Sequence, residues 1–130
     1  MATGTGPFRY YESDEIDGKS TGTYDLETTV VEGGFTRTFC PFGAFVIITD
    51  VSGLVTPSVI SIGTNASSYN NIVSASAVGA ILDAVKLYSL STDLEQIGEG
   101  VDIKVKVTVA AIGTTCKFKV TVFGYDKLTA

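Results

Sequence analysis

The sequence predicts an all-β fold: a single-domain antiparallel sandwich or jelly roll of about seven to eight strands. Three observations carry this expectation. Short β-branched or alternating runs recur along the chain with Gly, Pro, Asn and Ser between them. Two runs near the C-terminus alternate apolar and polar residues strictly, as half-buried strands do. Helical spacing surfaces only briefly, so at most one short helix is expected, near 69–79. At 130 residues the chain suits one core.

Taken in order, residues 1–11 read as a flexible arm and 12–130 as the sandwich. Residues 1–6 are small and polar, and Pro7-Phe8-Arg9-Tyr10-Tyr11 then packs three aromatics into five positions. Such a segment either reaches across to a neighbouring subunit or forms a first strand. The acidic turn 12–17 follows. It lacks the alternating oxygen ligands and final glutamate of an EF-hand loop, so a solvated turn is the default reading over a looser calcium site.

Between 23 and 31, Tyr24, Leu26 and Val30 share one parity against Asp25 and Glu27, which is a half-buried strand. Gly33-Gly34 turns the chain, residues 35–40 alternate, and Pro41 is expected to limit strand continuation. The run 43–51 is continuous enough, through Phe45–Ile48, that a central strand covered on both faces is expected. The run 59–62 follows, then the polar loop 63–71. The stretch 81–90 fits helix weakly and strand better over 85–91.

Val101, Ile103, Val105, Val107 and Val109 alternate with polar residues, as do Cys116, Phe118, Val120 and Val122. The short link between them, which contains Gly113, predicts a long antiparallel hairpin. Its polar face would then gather Lys104, Lys106, Lys117 and Lys119, with Phe123 and Tyr125 outward on the last strand. That lysine face reads as a solvated surface or as a contact for an acidic partner.

The composition narrows the function classes. With no histidine there is no Ser-His-Asp triad, no Cys-His pair and no mixed Cys/His metal site. No phosphate-cradling glycine pattern occurs. No enzyme activity, cofactor or bound metal is therefore expected. A net charge of −5 argues against general nucleic-acid binding. No apolar run suggests a membrane span, and the first residues carry no secretory signal. Cys40 and Cys116 match no zinc spacing; they pair or lie buried as thiols. Charged residues are 18% of the chain, below the usual ~25%, so other subunits are expected to cover part of its surface.

The stretch Ser61-Ile62-Gly63-Thr64-Asn65 to Tyr69-Asn70-Asn71-Ile72, set in the strand order from Thr23 onward, resembles the small jelly-roll decoration (cement) and head-fibre proteins of tailed bacteriophages. The resemblance implies a structural virion protein, assembled in the host cytoplasm. It would bind between capsomers as an oligomer, a homotrimer in that family, with the major capsid protein as partner. On this reading Phe8, Arg9, Tyr10, Tyr11, Phe123 and Tyr125 are the candidate subunit or capsid contacts. The alternative is a receptor- or glycan-recognition module of a fibre or tail tip, with Asn65, Tyr69, Asn70 and Asn71 as the loop contact.

Overall fold

The computed structural model describes residues 3–28, 36–90, 97–98 and 101–129. Ten strands follow in order: β1 (Thr3–Glu12), β2 (Ile16–Asp17), β3 (Gly22–Leu26), β4 (Thr36–Thr56), β5 (Val59–Gly63), β6 (Val73–Ala77), β7 (Val85–Tyr88), β8 (Ile97–Gly98), β9 (Ile103–Val109) and β10 (Ile112–Thr129). They form two sheets. The larger runs β1-β10-β4-β7, with β2 also against β10 and β8 against β4; the smaller runs β3-β9-β5-β6. Every pairing is antiparallel. The expected all-β sandwich is present, and no helix occurs among the described residues. The segment near 69–79, expected to hold a short helix, is loop followed by β6, a strand of alternating small residues.

One core lies between the sheets. Ile60, Ile62, Ile103, Val105 and Val107 come from the smaller sheet and meet Val46, Ile48, Phe118, Val120 and Val122 of the larger. Strand parity explains this directly, since alternate side chains of each strand point the same way. The spine is the β4–β10 pair, which runs from Ile112 opposite Thr56 to Thr129 opposite Thr36 with three register shifts along it.

The long hairpin expected over 101–123 does not form. β9 pairs with β3 and β5, whereas β10 pairs with β1, β2 and β4, so the link after Val109 crosses from one sheet to the other. Strict alternation says which side chains face inward. It does not say whether the next strand lies beside its predecessor or across the core from it. The four lysines are therefore split: Lys104 and Lys106 lie on the outer face of the smaller sheet, Lys117 and Lys119 on that of the larger.

Pro41 does not end its strand. β4 runs through it, and the pairing slips by one residue between Phe123–Gly43 and Gly124–Pro41. A proline lacks the N–H that a ladder needs, and a bulge is where a sheet tolerates it. The slip turns Phe42 out to solvent. Residues 3–12, expected as an arm through position 11, instead form the edge strand β1 along β10, from Thr3–Thr129 to Glu12–Thr121. Val30 and the turn expected at 33–34 lie outside the described residues.

Tyr88 fastens the two sheets at one edge. Its hydroxyl donates to the Ala77 carbonyl at 2.8 Å, and Lys86 Nζ donates to the same oxygen at 2.7 Å. Burial pushes the Tyr88 hydroxyl up to about 12 from 10.0. Between those values the unfolded chain gives up a proton that the folded chain keeps, so the contribution is complete below about pH 10 and lost as pH rises through 12. Tyr88→Phe is expected to cost about 1 kcal/mol near neutrality, for the lost hydrogen bond. Urea midpoints near pH 9 and pH 11 should fall further for the parent than for the variant. Parallel falls would remove Tyr88 as the cause.

Candidate functional site: an exposed aromatic sheet face

Beside Lys117 and Lys119, the outer face of the larger sheet carries a large apolar patch. Phe8 and Tyr10 of β1, Phe123 of β10, Phe45 and Ile47 of β4, and Leu87 of β7 line a shallow groove of about 690 Å³. Strand pairing sets the rows. Tyr10 sits opposite Phe123, Glu12 opposite Thr121, Thr121 opposite Phe45, and Phe45 opposite Leu87. Phe8 is 64% exposed and Leu87 71%. The rings hold one another in place: Phe123 lies 6.1 Å from Phe8 and 6.0 Å from Phe45, centroid to centroid. Phe42, released by the bulge, packs on Tyr125 at 5.0 Å and extends the surface past the end of the groove.

The opposite face of the sandwich differs in kind. Lys104 pairs with Asp25 at 2.9 Å across β9 and β3, and the Asp25 hydrogen bond raises the lysine above its ordinary value. Lys106 Nζ donates to the Ser67 carbonyl and Ser61 Oγ to the Ser68 carbonyl, which draws the polar loop over the smaller sheet. One side of the molecule suits water. The other side presents what a core would normally cover.

The structure separates the six candidate contacts. Phe8, Tyr10, Phe123 and Tyr125 share the outer face. Arg9 and Tyr11 alternate inward: Arg9 Nη2 lies 2.9 Å from the Asp126 carboxylate, and its guanidinium stands 5.0 Å from the Tyr11 ring and 5.3 Å from Phe39. Burial pushes the Tyr11 hydroxyl up, with the Arg9 charge opposing. Phe45, Ile47 and Leu87 belong to the face and were not among the sequence candidates. The unbroken apolar run 45–48 carried the signal. It was expected to be covered on both faces, and within this chain its outer side is only partly covered.

The loop candidates have structural work of their own. Asn65 Oδ1 accepts from the backbone N–H groups of Asn70 and Asn71, and Asn65 Nδ2 donates to Asn70 Oδ1. Asn71 Oδ1 accepts from Thr64 N–H while its Nδ2 donates to Thr64 Oγ1. Tyr69 takes a left-handed φ of 47° and donates its N–H to the Asn65 carbonyl. Gly63 is where the loop returns onto its strand: a β-carbon there would sit 2.6 Å from the Asn70 nitrogen. The Gly-Thr-Asn and Asn-Asn pieces are thus the two ends of one hydrogen-bonded clasp.

Glu12, Asp14, Glu15, Asp25 and Glu27 surround a small acidic hollow, where Glu15 accepts from Thr49 Oγ1 at 2.6 Å. Among the described residues no group of three or more His, Cys, Asp or Glu is placed to hold a metal ion. Cys40 and Cys116 are free, buried thiols. No helix among the described residues is long and apolar enough to cross a membrane. No protein-family model, curated protein or solved structure matches the chain.

Proposed function

We propose that this chain is a non-catalytic structural subunit of a tailed-phage virion, decorating or cementing the capsid by binding between capsomers as an oligomer. The observation that carries the reading is the two-faced sandwich, with one outer face solvated and the other bearing an exposed aromatic and aliphatic patch. A protein of this kind acts by burying surface against its neighbours. The wiring also supports the reading. With the two-residue strands set aside, β1-β10-β4-β7 over β3-β9-β5-β6 is the order that two Greek keys give in a jelly roll. Several shell contacts per oligomer would let individually weak attachments act together against pressure from packaged DNA. The glycan reading draws less support, because the side chains of Asn65 and Asn71 are engaged within the loop.

The test is addition of the purified protein to undecorated, expanded capsids of the phage that encodes it, read by co-sedimentation. Saturable binding at a fixed number of copies per capsid is the expected result. No binding to capsids, together with a signal on a glycan array, would overturn the proposal in favour of recognition.

A further inference from the structure

We infer that the aromatic face of the larger sheet is the contact between two copies of this chain, packed face to face about a twofold axis. The inference deepens the structural-subunit reading and rests on it.

Two features of the face point to a second copy as its occupant. The first is charge. The chain carries −5, yet the groove is lined by one acid, Glu12, and one base, Lys119. Thr121 sits opposite Glu12, and Lys119 is the next outward residue along β10. The two are diagonal neighbours, with about 7–8 Å between their backbone positions. They form no ion pair with each other or with another described residue. A twofold axis passing between them brings Glu12 of each copy to Lys119 of the other and makes both pairs at once. In an isologous contact residue i meets j and j meets i, so a neutral patch holding one charge of each sign is complementary to itself. An acidic or a basic partner would leave one of the two charges opposed by its like.

The second feature is area. Phe8, Tyr10, Val85 and Leu87 are each more than half exposed, with Phe45, Ile47 and Phe123 partly exposed between them. Side chains of this size bring on the order of 600–800 Å² of surface to the face. A stable pair needs about 800 Å² from each partner. The aromatic and aliphatic centre with its charges at one margin also has the make-up of an interface core and rim. Face-to-face packing predicts a dimer, where the family resemblance implies a trimer.

Sedimentation or light scattering of the purified full-length protein tests this, with no capsid present. The expected mass is twice 13.6 kDa. Leu87→Glu, at an exposed position where folding does not depend on the side chain, should weaken self-association about tenfold or more while leaving thermal unfolding of the monomer unchanged. Glu12→Lys and Lys119→Glu should each weaken it, and the double exchange should restore it. A monomer at all concentrations overturns the inference, as does a trimer or a dimer indifferent to Leu87→Glu. A monomer whose capsid binding is abolished by Leu87→Glu assigns the face to the shell instead and also overturns it. A dimer that fails to bind capsids leaves the inference standing and removes the capsid reading.

Discussion

Arg9→Ala is expected to destabilise the fold by about 3–5 kcal/mol, the usual consequence of removing one partner of a buried ion pair. Asp126 is 1% exposed, and the Arg9 guanidinium lies 2.9 Å from its carboxylate. The contact is 2.9 Å long but off the hydrogen-bond line, so the attraction is chiefly charge on charge. Alanine would leave the carboxylate in the interior without that charge, and would empty the space against Tyr11 and Phe39 that the guanidinium fills. Arg9→Lys keeps the charge but loses the flat stacking surface, so it should fall between alanine and the parent. Urea unfolding of the two variants reads both effects. A loss below about 1 kcal/mol for Arg9→Ala would mean that the pair is solvated in practice.

Gly124→Ala is the second large effect, expected at about 2–3 kcal/mol. At the bulge opposite Pro41, a β-carbon on residue 124 would run into the Cys40 carbonyl oxygen and lie 2.8 Å from Pro41 Cα. These are backbone atoms of the neighbouring strand, so no side-chain rotation relieves the collision. Relief requires β4 and β10 to separate where β1 also depends on β10. Gly98→Ala is the matched control: among the described residues a β-carbon there meets nothing within 4 Å, and its effect should stay within about 0.5 kcal/mol. Thermal unfolding of the two variants side by side checks the contrast.

The sequence disclosed some of these features and concealed others for identifiable reasons. Alternation correctly divided inward from outward residues over 103–108 and 116–123, because the pleat alone sets that division, although Val109 at the end of β9 is exposed. It could not reveal the crossover between them, since β-hairpins and sheet-to-sheet links both use short connections. Position 41 looked like a strand end because proline lacks a donor; the bulge that accommodates it depends on Gly124, more than eighty residues away. Phe8, Arg9, Tyr10 and Tyr11 read as one contact segment, although period two already implied that Arg9 and Tyr11 face away from Phe8 and Tyr10. What parity could not supply was Asp126, the residue that makes an inward arginine tolerable. For Phe45 and Ile47, the apolar run showed that both sides avoid water. It did not show that one side is left for something outside the chain.

The pairing of the first strand with the last sets a timetable for folding. β1 cannot find its place until β10 exists, and β10 also supplies the partner for most of β4. While the chain is being synthesised, the larger sheet therefore lacks its centre until β10 has emerged. Contacts so remote in sequence make for slow folding, on the order of milliseconds to seconds. During that interval the apolar strand 44–48 has an open edge on the side that β10 will occupy, and it is then that crowding between nascent copies carries the greatest risk of misassembly.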